Sequence, residues 1–362
     1  MRLGVSAALV DGALLPGDVA WEDGVVTGLG LERGPGAAGI ATPGFVDLQV
    51  NGFAGVDLQA ADAGGFAHAG EALLRAGTTA YLPTFVTAPE EQLIAALRSL
   101  PTRAVGARIL GAHLEGPFIA ESRLGAHDPA GRRDPDAALL RRLLDAGQVR
   151  LMTLAPELPG AAMLIAALRA RGVTVSCGHS EASAAEAERA FDAGASSVTH
   201  LYNAMPKRGG LAAAALARDD VTVQLIVDGH HVPPGVVQQT WRHAAGRVAL
   251  VSDAVAAAGM GDGEFSLGNT RVLARAGVVR TAGGVLAGST LTLRDAVANL
   301  CALGVPLAQA LTAATAVPAR LAAVPQLGRL AVGEPADVLV LDDRLEVVRV
   351  LQAVAFASWP WR

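Results

Sequence analysis

Several polar residues share one position in the chain's local pattern. Gln49, Asn51, His113, Glu115, His179, His200, Asn203, Asp228 and Asp253 each fall at or near the end of a short apolar, β-branched run. Two imidazoles and a carboxylate from separate runs, Glu115, His179 and His200, make a donor set for a catalytic divalent ion with one open position. Zinc is the usual ion for such a set, with Fe2+ or another divalent ion as the alternative, and the expectation is one ion per subunit. Such an ion lowers the pKa of a water toward ~7, which lets a nearby carboxylate take up its proton. Asp253, ending the run VALVSDA, is the natural group for that transfer. Each residue alone has a plainer reading. A polar strand end can cap the next helix, and a single histidine can be a hydrogen-bonded core group. Capping does not account for carboxylates, imidazoles and amides gathering at the same end of six runs out of eight.

Those eight runs are residues 44–52, 78–86, 108–116, 150–156, 174–180, 196–203, 222–229 and 248–254. Stretches of helical character separate them, such as Glu90 to Leu100 and Ala161 to Arg171. The alternation predicts βα units around a parallel sheet, and eight of them predict an α/β fold of the (β/α)8 TIM-barrel type. A barrel gathers the C-terminal ends of its strands on one face, so the fold would bring the polar ends together. A doubly wound sheet is the alternative, but no Gly-rich dinucleotide turn follows an opening strand; GMGDGE at 259–264 reads as a loop. Residues 1–43 and 325–362 read as short strands between Gly and Asp turns, and are expected to form a small β-sandwich domain built from both termini. Residues 44–324 would be the barrel, with a β-hairpin insertion near 263–289.

The bulk properties narrow the function classes. Of the 362 residues, 51% are hydrophobic and 17% charged, enough to bury a large core. A net charge of −5 offers no basic footprint for nucleic acid. No apolar stretch approaches the ~18 residues of a membrane-spanning helix, and the N-terminal run is cut by Asp11, so no membrane partner and no secretory signal are expected. Cys177 and Cys301 are the only cysteines, which rules out a disulfide framework and suits a cytoplasmic location. Cys177, two residues before His179, could be proposed as a ligand, but a buried small hydrophobe is the preferred reading.

The segments PGFVDLQVNG, HLEGPFI, LGAHDP, TLAPE, CGHS, THLYNAMP, DGHH, LVSDA and LAGSTLT occur in that order. Together they resemble the N-acetylglucosamine-6-phosphate deacetylase family of the amidohydrolase superfamily, over about residues 43–320. The resemblance implies that Glu115, His179 and His200 hold the metal and that Asp253 acts as general base and then general acid. It implies that His127 hydrogen-bonds the amide carbonyl and stabilises the oxyanion. Ala126, Asn203, Ala204 and the segment Asp228 to His231 would line the sugar site, and Leu286, Ala287 and Gly288 would close over it. His231, and Arg208 from a neighbouring subunit, would meet the phosphate, which is the ground for expecting a homodimer. His230 ranks behind His231 for that position.

Two departures from the wider superfamily bear on this. Its first strand often carries His-x-His for a second metal; here the pair is Gln49-x-Asn51, both poor zinc ligands. Lys207, the only lysine, lies beyond the sixth run, so no lysine can bridge two metals from the fourth. Both favour one metal. The loop PKRGGL is also shorter than is usual in the family, which leaves the register of Arg208 open. The expected reaction is metal-dependent hydrolysis of the N-acetyl group of N-acetylglucosamine-6-phosphate, a small-molecule substrate. Alternatives are N-acetylgalactosamine-6-phosphate or another N-acyl amino sugar, a sugar-phosphate-binding relative without chemistry, and a cyclic-amide hydrolase.

Overall fold

The computed structural model describes residues 1–353. Eight parallel strands form the frame of the site: Phe45–Val50, Thr78–Val86, a third in two pieces (Arg108–Ile109 and Ala112–Glu115), Val149–Leu154, Thr174–Cys177, Ser197–Val198, Thr222–Leu225 and Val248–Leu250. Each pairs with the next in parallel register. The ring closes through a parallel bridge between Val50 and Ala254, supported by Asn51 and Gly52 N–H groups donating to the Ala254 carbonyl. Every residue of the first and second strands is buried, because parallel barrel strands face the interior on one side and helices on the other. The eight expected runs are therefore all strands of one barrel, although the sixth shrinks to Ser197–Val198.

Helices return the chain between strands, and local chemistry sets their ends. Ala184–Ala193 opens with a capping box, in which Ser183 and Glu186 satisfy each other's backbone N–H groups. It ends at Gly194, whose φ of 109° is the left-handed conformation that stops a helix. The expected helices are present as Glu90–Ser99 and Ala161–Ala170.

Below the strand ends, the barrel interior holds a polar layer. His113 Nε2 meets Thr153 Oγ1 at 2.8 Å, Thr153 meets Thr199 at 2.6 Å, and Thr199 donates to Ser176 Oγ at 2.7 Å. His113 is thus fully buried beneath the site, one alternation below Glu115 on the same strand.

Strands Gly263–Leu267, Thr270–Arg275, Val278–Thr281 and Leu286–Ser289 form a separate antiparallel sheet between the eighth strand and helix Leu293–Ala302. Its apolar face (Leu267, Val272, Ala274, Val279, Ala287) packs with Val86 and Val255 above the barrel. Both termini contribute to a mixed five-stranded sheet of Ala13–Pro16, Ala7–Val10, Ile40–Pro43, Val338–Leu341 and Val347–Leu351. With the ribbon Asp18–Glu22 and Val25–Leu31 it encloses a second core around Val5, Val19, Val26, Ala41 and Val338. Residues 354–362 of the expected C-terminal segment lie outside the described residues. No helix among the described residues is long and apolar enough to cross a membrane.

Candidate active site

The C-terminal strand ends open into a cavity of about 480 Å3. Its floor holds Glu115, His127, His179, His200 and Asp253, all buried. Three of them stand in left-handed backbone conformations: His179 at φ 49°, His200 at φ 30° and Asp253 at φ 50°. Such conformations are uncommon for non-glycine residues and gather where a side chain must be aimed against the run of the backbone. Here the chain turns sharply two or three residues beyond each strand's end and carries that side chain onto the cavity floor.

Glu115 Oε1 is the centre of the floor. His200 Nε2 lies 2.8 Å from it and His179 Nε2 3.2 Å, while the two Nε2 atoms are 3.2 Å apart. His179 Nδ1 donates to the Arg123 carbonyl at 2.7 Å, which leaves Nε2 to ligate. Burial pushes the Glu115 carboxyl up, but the imidazoles of His127, His179 and His200 set against it outweigh that and hold the group well below its ordinary value. A buried carboxylate oxygen facing two imidazole Nε2 atoms, all within 4.8 Å of one another, is a set of lone pairs that a divalent cation would join. The residues present therefore fit a metal. Cys177 is not part of the set; it is buried in the apolar core.

The two amides of the first strand end serve the carboxylates. Gln49 Nε2 donates to Glu115 Oε1 at 3.1 Å, and Asn51 Nδ2 donates to Asp253 Oδ1 at 2.7 Å. Burial, then the Glu115 charge, pushes Asp253 up to about 6. His127 is held from the side by Thr87, whose backbone N–H donates to Nδ1 at 3.3 Å and whose Oγ1 lies 2.9 Å from the same atom. That places the ring proton on Nε2, 3.4 Å from Glu115 Oε2 and facing the cavity. Burial holds the His127 imidazole down to about 4, so it acts as a neutral donor. The insertion brackets this loop: Thr270 Oγ1 donates to the Ala126 carbonyl at 3.0 Å and Asn269 Nδ2 to Asp128 Oδ2 at 3.0 Å.

Of the remaining expected residues, Ala126, Asn203, Ala204, His231, Leu286, Ala287 and Gly288 line the cavity. Asp228 and Arg208 do not. Asp228 Oδ2 instead accepts from His231 Nδ1 at 2.7 Å, and its Oδ1 takes the backbone N–H groups of His230 and His231. Burial raises this carboxyl, yet those bonds bring it to about 2. It orients His231 rather than facing the cavity, while His230 is exposed. Arg208 is exposed on its loop, outside the cavity of its own chain. Thr87, Arg123, Lys207 and Arg280 were not foreseen: a strand-end threonine and isolated surface cations carry no local signal.

A larger depression of about 710 Å3 lies at the other end of the barrel strands. Among the described residues its walls carry Arg98, Arg103 and Arg108 but no imidazole, thiol or carboxylate. The metal-fitting Glu115, His179 and His200 lie in the smaller cavity.

A match to the amidohydrolase family spans residues 40–359. N-acetylgalactosamine-6-phosphate deacetylase of Escherichia coli O157:H7 is 38% identical over 325 residues, covering 86% of each chain. N-acetylglucosamine-6-phosphate deacetylase of Vibrio furnissii is 36% identical over 319 residues, covering 84% of this chain and 79% of its own. Among solved structures, an aspartate-to-alanine variant of the Mycobacterium smegmatis N-acetyl-D-glucosamine-6-phosphate deacetylase, in complex with N-acetyl-D-glucosamine-6-phosphate, superposes with a TM-score of 0.89. It is 37% identical and covers 98% of both chains. With its barrel, its buried Glu–His–His floor and these similarities, the chain belongs to the N-acetylglucosamine-6-phosphate deacetylase family of the amidohydrolase superfamily.

Proposed function

We propose that the chain hydrolyses the acetamide of N-acetylglucosamine-6-phosphate, giving acetate and glucosamine-6-phosphate. The observation that carries this reading is the convergence of a metal-fitting triad, a carboxyl raised to about 6 and a neutral imidazole donor on one cavity floor. Glu115, His179 and His200 would hold the divalent ion. When bound, that ion supplies Lewis acidity to the acetamide oxygen and eases deprotonation of the attacking water.

The chain's own residues do the rest. His127 Nε2–H donates to the acetamide oxygen as negative charge develops there, a preorganised contact worth roughly 3 kcal/mol in the transition state. Asp253 takes the proton as water adds to the carbonyl carbon. It then delivers that proton to the amine nitrogen as the C–N bond breaks. Asn51 keeps the Asp253 carboxyl aimed, and Gln49 does the same for Glu115. Ala126, Asn203, Ala204 and Leu286 to Gly288 form the sugar walls, with His231 toward the phosphate. Arg208, exposed and outside its own cavity, is free to reach the site of a second subunit in a homodimer.

The test is acetate release from N-acetylglucosamine-6-phosphate by zinc-loaded protein, with Asp253→Asn in parallel. Release by the wild type that collapses in the variant supports the assignment; no release from a metal-loaded wild type removes it. A second reading, hydrolysis of N-acetylgalactosamine-6-phosphate, is favoured by the 38% identity to the Escherichia coli enzyme named for that substrate. The ratio of kcat/KM for the two epimers decides between them.

A further inference from the structure

The protein carries a net charge of −5, yet the mouth of the cavity is cationic. Arg123, Lys207 and Arg280 line it from three different segments, and the only lining carboxylates among the described residues are Glu115 and Asp253 on the buried floor. Arg123 is engaged with Glu181. Lys207 Nζ donates to the Tyr202 carbonyl at 2.5 Å. Partial burial and the neighbouring Arg123 charge hold the Lys207 ammonium below its ordinary value, so positive charge is crowded on that side.

Arg280 is placed differently. It lies on strand Val278–Thr281, where Val279 points into the core of the insertion and Arg280 takes the opposite face. Its Nη1 donates to the Gly284 carbonyl at 2.8 Å, tying the guanidinium to the turn whose residues Gly284 to Gly288 form one wall of the cavity. No carboxylate among the described residues pairs with it, whereas Arg271 on the adjacent strand faces Glu264. A guanidinium anchored by one nitrogen and unneutralised keeps the rest of its fork for a planar or tetrahedral oxyanion.

We propose that Arg280 is a specificity-determining residue that, with Lys207, clamps the phosphate end of the substrate from within the same chain. The proposal rests on the phosphorylated-sugar reading above, and it adds a contact supplied by the β-insertion. Arg provides the two-pronged contact and Lys207 a point charge across the mouth. Neither touches the reacting acetamide, so the clamp acts on affinity and selection and leaves the bond-breaking step to the floor.

The experiment compares Arg280→Gln, Arg280→Lys and the control Arg275→Gln, which removes an exposed charge of the same sheet that does not line the cavity. Two readouts are taken on zinc-loaded protein. One is kcat and KM for N-acetylglucosamine-6-phosphate and for unphosphorylated N-acetylglucosamine; the other is calorimetric binding of glucose-6-phosphate. Arg280→Gln should raise KM for the phosphorylated sugar and weaken glucose-6-phosphate binding by roughly tenfold or more. It should leave kcat/KM for the unphosphorylated sugar within about twofold, with Arg280→Lys in between and Arg275→Gln near wild type. Equal losses for phosphorylated and unphosphorylated sugars, or no change in KM or glucose-6-phosphate binding, overturn the clamp. If the wild type releases no acetate from either sugar, the deacetylase reading fails, and glucose-6-phosphate binding alone still decides the clamp. It stands if Arg280→Gln loses that binding, and falls if the wild type has none to lose.

Discussion

Asn51 Nδ2 lies 2.7 Å from Asp253 Oδ1, joining the end of the first barrel strand to the turn after the eighth. The bond spans the seam where the barrel closes, and the same amide contacts the Ala254 carbonyl at 3.3 Å. A neutral amide thus holds the Asp253 carboxyl in place.

Removing that donor should misaim Asp253. Asn51→Leu, close in size, is expected to lower kcat/KM by about 10- to 100-fold, the worth of a hydrogen bond to a charged group. Asn51→Asp adds a like charge beside Asp253 and should cost more. Steady-state kinetics beside thermal melts distinguish lost aim from lost folding.

The metal triad predicts content before activity. Glu115→Ala and His179→Ala should each lose most of the bound divalent ion measured by elemental analysis of the purified protein. Chelation of the wild type should lower Tm, since an ion bound only by the folded state stabilises it. A wild type that purifies and melts identically with and without divalent ions contradicts the assignment.

Thr87 sets the proton position on His127. Thr87→Val keeps the shape and the backbone N–H but deletes the hydroxyl near Nδ1. We expect kcat to fall about tenfold with little change in KM, because the imidazole would be aimed less well at developing charge. An unaltered kcat would make Thr87 a bystander.

Asp47 governs stability against pH. Burial pushes its carboxyl up to about 7, above the ordinary 3.8, against hydrogen bonds from Ser252 and Gln49. Between those two values the folded state binds the proton more tightly than the unfolded one, so this residue's contribution to stability declines as pH rises from about 4 to 7. Asp47→Asn retains an acceptor for the Gln49 and Ser252 N–H groups and removes the titration. Its Tm relative to wild type should therefore improve from pH 5 to pH 8, as followed by calorimetry. A difference that stays flat across that range excludes an elevated Asp47.

The barrel was legible because burial on both faces makes each parallel strand a dense apolar run, interrupted by the one polar group it presents at its end. The gathering of Glu115, His179, His200 and Asp253 in one cavity was readable for that reason. Thr87 was not, since a threonine at a strand end is an ordinary β residue until His127 is folded against it. Asp228 stands at a strand end as Asp253 does, but His231 three residues later draws its carboxylate aside from the cavity. Arg280 and Lys207 lie 73 positions apart in the numbering, and only the insertion's path over the barrel brings them to one cavity.

The strip Leu286 to Ser289 is hydrogen-bonded to the turn that carries Asp253: Ser289 N donates to the Asp253 carbonyl at 2.8 Å and Val255 N to the Ser289 carbonyl at 3.1 Å. The tip of the same hairpin is open beside it, for an added Cβ at Gly283 would meet only Thr281 Oγ1, at 3.7 Å. Selection can therefore rewrite one part of this hairpin cheaply and another hardly at all. Insertions and substitutions at the tip can change which molecules are admitted, while the base, stitched to the acid, resists drift. The insertion is a tunable recognition element mounted on a buried polar floor.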